Sequence, residues 1–347
     1  MFIWRIDQYM QINIVYTSDD NFVPQIETGI ASVMENNRKN DIHFYIMSKG
    51  ITDEHKAEMT WFVKCYKQDI DIIELPSMAE LCGREIDTGG WNDIVLSRLF
   101  LDKLLPESVD KLLYLDGDTI VRHDLAYFYE TDISEYVLGA AIEPVVPAKR
   151  KAAIGLEKDA NYYNAGVLLM NLKLWSERDT GRRIMDFFAE HDYKLFANDQ
   201  DAINGCLKDE ILPVSFTYNF ANTYHFYPYR AIMKWTREEY RVPKDSYKKI
   251  ICNPCIVHYL GEERPWRYGS RHVFGKDFFK YYKKTPIGRN PETRKSIIEY
   301  GWQKYFFCFY TFNFFIKPFP KLRLTIINML IPAFMDYRKK QREKNNG

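Results

Sequence analysis

Lys111-Leu112-Leu113-Tyr114-Leu115-Asp116-Gly117-Asp118 changes character at one residue. Leu112 to Leu115 run apolar without alternation, the pattern of a strand buried on both faces at the centre of a parallel sheet. Two carboxylates follow immediately. In an open α/β sheet the carboxyl ends of the strands border the ligand crevice, so Asp116 and Asp118 fall where a ligand binds. Adjacent carboxylates repel each other and are most easily kept ionised together around a divalent cation. An oxygen-rich site of this kind suits Mg²⁺ or Mn²⁺.

The flanking sequence supports the sheet. Ile12 to Thr17, Ile42 to Met47 and Ile70 to Leu75 read as strands, separated by helices over Phe22 to Asn37 and Thr52 to Lys67. Asp93 to Leu105 reads as a further helix, stopped by Pro106. Later strands are expected at Leu138 to Ile142, Gly166 to Met170 and Ile250 to Val257. Alternation of strand and helix from residue 12 to about 260 predicts an α/β fold, a mostly parallel Rossmann-like sheet with helices on both faces.

The pattern Asp-x-Asp also occurs at Asp69/Asp71 and Asp199/Asp201. Context separates the three. Asp69 and Asp71 precede their strand, at the wrong end of a parallel sheet for a ligand. Asn198-Asp199-Gln200-Asp201 precedes Ala202 to Leu207 and reads as the cap of a helix. His258, after Cys255-Ile256-Val257, ends the last apolar strand and can join the Asp116/Asp118 edge, and its nitrogen shifts the preference towards Mn²⁺. Thr17-Ser18-Asp19-Asp20-Asn21 closes the first strand with short polar side chains suited to a ribose and base, and to capping the next helix. Tyr162 to Asn171 carries small residues, Ala165 and Gly166, that open a strand. Spacing by itself gives a metal-diphosphate site and leaves the reaction open.

Composition sets outer limits. Lys+Arg 48 against Asp+Glu 47 removes any global electrostatic reason to expect a nucleic-acid partner. Six cysteines are sparse for 347 residues, and Cys252-Asn253-Pro254-Cys255 has no second pair with which to build a zinc site; two buried small residues near a strand explain it. Met1 to Met10 lacks the apolar core of a secretory leader, which predicts a cytoplasmic chain. Beyond residue 261 the composition shifts, Arg264 to Lys295 being basic and aromatic, and from Gly301 onward nine Lys/Arg face only Asp336 and Glu343. Phe306 to Ile316 and Leu324 to Met335 are apolar but shorter than the ~20 residues of a spanning helix. We therefore expect two regions, a catalytic domain over 12–266 and a C-terminal segment over 267–347 that attaches peripherally to an anionic membrane surface.

Taken together, the polar blocks resemble glycosyltransferase family 8, the retaining family of bacterial lipopolysaccharide galactosyl- and glucosyltransferases and of glycogenin. The matching blocks are Ile14 to Asn21, Arg98-Leu99, Tyr114 to Asp118, Tyr163-Asn164-Ala165-Gly166-Val167, Asp199-Gln200-Asp201 and His258 to Gly261 through Pro265-Trp266. The resemblance implies a GT-A fold, a UDP-hexose donor carrying glucose or galactose, and a glycan or glycolipid acceptor. Asp116, Asp118 and His258 would hold Mn²⁺, with Mg²⁺ the alternative. Thr17, Asp19, Asn21, Arg98, Gly117, Asn164, Ala165, Gly261 and Arg264 would bind nucleotide sugar. Gln200 would lie beneath the anomeric carbon, with Asp199 and Asp201 as charge stabilisers. Glu143, where bacterial members usually carry Asp, would meet the acceptor, and Arg264 stands where the family usually has Lys. A dehalogenase-type phosphatase also follows a strand with Asp-x-Asp, but here Thr119 comes one position early. A non-catalytic nucleotide-sugar-binding membrane protein is the remaining alternative.

Overall fold

A computed structural model describes residues 10–83 and 93–330, so the leader reading at 1–9 and the basic tail beyond 330 lie outside the described residues. Its centre is a seven-stranded sheet in the order β3-β2-β1-β4-β7-β6-β8. The strands are β1 (Gln11–Asp19), β2 (Asp41–Lys49), β3 (Asp69–Glu74), β4 (Lys111–Leu115), β6 (Leu138–Ile142), β7 (Tyr163–Asn171) and β8 (Ile211–Val214). β1, β2, β3 and β4 run parallel, and β6 and β8 pair in parallel. β7 opposes both β4 and β6. That reversal brings the start of β7 to the carboxylate end of β4, with Leu115 opposite Val167.

Both faces of the sheet are covered, which explains the unbroken apolar run in β4. Leu113 and Leu115 enter one core with Ile12, Ile14 and Tyr16; Leu112 and Tyr114 enter the other with Val15. This is the two-residue period of a strand expressed on both sides at once. Helix α1 (Val23–Asn36) fills the first core, and α4 (Thr180–Glu190) and α5 (Asn198–Leu207) the second, after α2 (Asp53–Cys65) and α3 (Ala148–Ala153).

Several expectations need correction. Asp93–Phe100 forms a tighter 3-10 helix, with only Leu101–Leu104 α-helical after it. Ile250 and Ile251 belong to helix α6 (Lys244–Cys252), and the strand that follows, β9 (Ile256–His258), has three residues. Pro254, which lacks an N–H, separates them. β9 does not join the main sheet: it pairs antiparallel with β5 (Thr119–Val121), in the register Thr119 opposite His258. Asp69 and Asp71 lie within β3, at its start. Cys252 is exposed and only Cys255 is buried.

Past the sheet the chain packs back on the first core through α7 (Gly275–Tyr282), whose Phe278, Tyr281 and Tyr282 are buried beside α1. Two further helices follow, α8 (Gln303–Ile316) and α9 over 320–330. Among the described residues no helix is long and apolar enough to cross a membrane.

Candidate active site

The turn after β4 is built by the backbone. Asp116 N–H donates to Gly166 O at 2.8 Å, and Thr119 N–H returns to Asp116 O at 3.1 Å. The chain then reverses into β5, and its pairing with β9 delivers His258 beside the carboxylates. His258 Nε2 lies 3.1 Å from Asp118 Oδ1 and 3.8 Å from Asp116 Oδ2. One ligand atom from each of the three residues falls within 4.8 Å of the others.

A divalent ion fits this place on two grounds. Two carboxylates and an imidazole are a hard oxygen set with one nitrogen, as Mn²⁺ or Mg²⁺ requires. The space is also kept clear by Gly166, where an added Cβ would collide with the His258 ring and come within 2.8 Å of Asp116 Oδ2. Gly117 is held for another reason: a Cβ there would meet Ile26 and Phe22 at 2.6 and 2.9 Å.

Charge at the site is tightly distributed. Burial alone would raise the Asp118 carboxyl, but His258 and Arg264 hold it far below the usual carboxylate range. Arg264 Nη2 donates to Asp118 Oδ2 at 2.9 Å, while its buried Nε–H has no partner among the described residues. For His258, burial favours the neutral ring and Asp118 opposes it, with a net rise. On the other side Arg98, 4% exposed, bonds Asp116 Oδ1 at 3.0 Å and the carbonyls of Ala165 and Val95 at 2.6 and 3.0 Å. Its Nε also lies 3.1 Å from Asp199 Oδ2. Burial pushes Asp199 up to about 6, against the pull of Arg98 and with the help of Asp116.

A second group of side chains adjoins this one along β7 and α5. Gln200 Oε1 accepts from Ala165 N–H at 3.0 Å, and Gln200 Nε2 donates to Glu143 Oε2 and Tyr162 Oη, both at 3.2 Å. The Ala165 contact fixes which end of the amide is oxygen. Asn164 Nδ2 donates to Glu143 Oε2 at 3.1 Å. Asp201 accepts from Tyr162 Oη at 2.5 Å and from Arg150 Nε at 2.9 Å.

Thr17 and Asp19 close β1, with Thr17 Oγ1 3.3 Å from Ser97 Oγ and one buried Asp19 oxygen unpartnered among the described residues. Asn21 is exposed in the next turn. No side chain of this segment caps α1, whose N-cap is Phe22. Nor does Asn198 cap α5: Asp201 turns back to accept from Ala197 N–H at 2.8 Å. Gly261 takes a φ of +82°, a left-handed bend between His258 and Arg264 that glycine adopts without strain.

Sequence reasoning missed Asn219, whose Oδ1 pairs with His258 Nδ1 at 3.0 Å and whose Nδ2 donates to Asn164 Oδ1 at 2.8 Å. It ties the imidazole to the Gln200 group. Arg150 and Tyr162, which flank Asp201, were also unsignalled.

Known proteins resemble this chain in sequence and fold. The family model described as glycosyl transferase family 8 matches residues 13–270. A lipopolysaccharide 1,2-glucosyltransferase of Escherichia coli is 26% identical, covering 83% of this chain and 83% of the relative. General stress protein A of Bacillus subtilis is 23% identical over 81% of this chain and 96% of its own length. The crystal structure of galactosyltransferase LgtC with donor and acceptor sugar analogues superposes with a TM-score of 0.68 at 24% identity, covering 83% of this chain and all of that one. That likeness gives the GT-A fold. With a family match spanning most of its length, the chain belongs to glycosyltransferase family 8 and is a glycosyltransferase.

Proposed function

We propose that this enzyme transfers a hexose, glucose or galactose, from a UDP-sugar to a hydroxyl of a cell-surface glycan such as lipopolysaccharide, with retention of anomeric configuration. The observation that carries the reading is the Asp116, Asp118 and His258 cluster with Arg264 at its edge, continuous through Asn219 and Asn164 with Gln200 and Glu143. Mn²⁺ held by Asp116, Asp118 and His258 would supply Lewis-acid neutralisation of the departing diphosphate. Arg264, which already bonds Asp118, adds a guanidinium to the same leaving group. Thr17, Asp19 and Asn21 take the uridine end.

Gln200, whose Oε1 also accepts from Ala165 N–H, would lie beneath the anomeric carbon, where a neutral amide supports positive charge but is a poor nucleophile beside a carboxylate. The substitution is therefore front-face. The sugar–phosphate C–O bond breaks, the acceptor oxygen bonds on the same face, and its proton leaves with the phosphate oxygen. Glu143 orients the acceptor, while Asp199 and Asp201 balance the charge of Arg98 and Arg150 beside the sugar. UDP release from UDP-glucose, UDP-galactose and their N-acetyl forms, with Mn²⁺ and with EDTA, tests the donor. An NMR anomeric coupling showing inversion would reject the mechanism.

The C-terminal helices support attachment to the inner face of the cell membrane. Phe307, Phe314, Phe315, Phe319 and Met329 are exposed, with Lys304, Lys317 and Lys321 among them. Each large apolar side chain that enters the lipid contributes ~1.5–3 kcal/mol, and each nearby lysine about 1 kcal/mol that weakens with salt. Sedimentation of the full chain with phosphatidylglycerol vesicles should fall in the double variant F314S/F315S. Equal sedimentation would remove this part of the reading.

A further inference from the structure

A cavity of about 720 Å³, well inside the range of small-molecule sites, lies beside the Gln200 group. Asp116, Asp118 and His258 do not line it. It is lined instead by Glu143 and Asp201 and by Leu260 to Glu263 of the loop that carries Arg264, and extends to Tyr305, Phe309, Leu324 and Ile327 of α8 and α9. Its two ends differ in chemistry. Glu143, Arg150 and Glu262 offer charge and hydrogen bonds; Leu324 and Ile327, set between Arg323 and Asn328 on α9, offer apolar surface.

The apolar wall is anchored on the catalytic domain. Tyr310 Oη donates to the buried carboxyl of Glu263 at 2.5 Å, in the loop that also carries Arg264. Arg323, 3% exposed, stacks 4.8 and 4.5 Å over the Phe226 and Tyr227 rings and donates to Asn313 Oδ1 at 3.1 and 2.8 Å. Phe309 meets Phe226 edge-on at 5.5 Å. Tyr305 and Phe309, four residues apart, share a helix face, and the exposed Phe307 and Phe314 occupy the opposite one. One face of α8 is therefore free for a lipid surface while the other closes a cavity reaching the reaction centre.

We infer that α8 and α9 form the apolar half of the acceptor site, and that the acceptor is a glycolipid whose sugar hydroxyl meets Glu143 and whose apolar portion lies on Phe309, Leu324 and Ile327. The inference rests on the glycosyltransferase reading and deepens it. Among the described residues a free oligosaccharide would leave the Leu324 and Ile327 wall without an apolar partner, whereas an alkyl chain matches it. The C-terminal segment then selects the substrate as well as holding the enzyme at a surface.

Monomeric n-octyl β-D-glucoside, below its micelle concentration, is the probe, read by saturation-transfer NMR on the full-length protein. The wild type should saturate the octyl protons. Ile327→Asp should weaken the apparent affinity about tenfold, and Ile327→Trp, which keeps the wall apolar while filling the space, should weaken it similarly. Phe314→Ser, on the outward face, should leave it unchanged. Thermal melting and Mn²⁺-dependent UDP-sugar hydrolysis report whether each variant is intact. No octyl saturation in the wild type, or loss caused by Phe314→Ser and not by either Ile327 variant, would overturn the inference. Failure of UDP-sugar turnover in the wild type would instead remove the transferase reading, and the octyl result would remain separately legible.

Discussion

Asp116/Asp118 and Asp199/Asp201 share a sequence pattern and lie on either side of one arginine, yet their surroundings pull them in opposite directions. The first pair ends a central strand, faces an imidazole, and includes a carboxyl that His258 and Arg264 keep far below its ordinary range despite burial. The second starts a helix: Asp199 is raised by burial, and Asp201 is occupied by Tyr162, Arg150 and the Ala197 amide. Neighbouring cations and the end of the strand, not the spacing of two aspartates, decide which pair can receive a cation.

Breaking the first pair should have the largest effect. Asp118→Ala removes one of the three proposed ligands and the partner of Arg264, so UDP-sugar turnover should fall by ~10³-fold, the scale of losing one strong charge-stabilising contact or more. Calorimetry should show Mn²⁺-dependent UDP binding lost while the thermal unfolding transition survives. Retained binding would refute the metal assignment. Gly166→Ala tests the same site without touching a ligand. Its methyl must push His258 and Asp116 apart, so turnover should drop by about 10–100-fold, as when the support of a metal ligand is disturbed. A higher Mn²⁺ requirement in the titration, with an unchanged circular dichroism spectrum, is the expected signature.

The comparison also shows what a sequence discloses. Asp116, Asp118 and His258 were legible because each ends a short apolar run, a local signal that survives without knowledge of the fold. Asn219 carries no such signal: it joins the site only because the chain before β9 brings it to His258 Nδ1. Arg150 and Tyr162 meet Asp201 across 51 and 39 residues of sequence. Misread elements have equally concrete causes. β8, for which the sequence raises no strand expectation, contains Pro213, and it is the edge strand of the sheet, where a missing N–H costs little. Ile250 and Ile251 imitate a strand because they are adjacent, although the helix that holds them buries Tyr247 and begins after Pro243. The reversed direction of β7 left no trace in its own residues.

A pH experiment sharpens the contrast at Asp199. Its carboxyl ionises at about 6 in the folded chain, above the ordinary value of 3.8. The protonated form is thus favoured by folding, and the stability it contributes is fully present below about pH 4 and lost as pH rises through 6. Measured in EDTA, the unfolding free energy of the wild type should fall between pH 4 and 7.5 by on the order of 2–3 kcal/mol relative to Asp199→Asn, which cannot ionise. Parallel pH curves for the two proteins would show that Asp199 is ionised throughout, and that Arg98 outweighs burial.

The smallest effect belongs to the third pair, Asp69/Asp71, which starts β3 at the edge of the sheet. Asp69 pairs with Lys64 at 2.5 Å and Asp71 with His43 at 2.8 Å, with all four side chains at least partly open to water. Water screens such contacts, and exposed ion pairs contribute roughly 0–1 kcal/mol each. These residues are also at the amino end of their strand, whereas the metal cluster lies at the carboxyl end of β4, and β3 and β4 are separated in the sheet by β2 and β1. The double variant D69N/D71N should therefore keep wild-type turnover and the same Mn²⁺ requirement, and lose no more than about 1 kcal/mol in urea unfolding. A turnover loss of tenfold or more, without loss of stability, would mean that charge at the far end of the sheet reaches the site. The distinction between the three pairs would then rest on something other than their position along the strand.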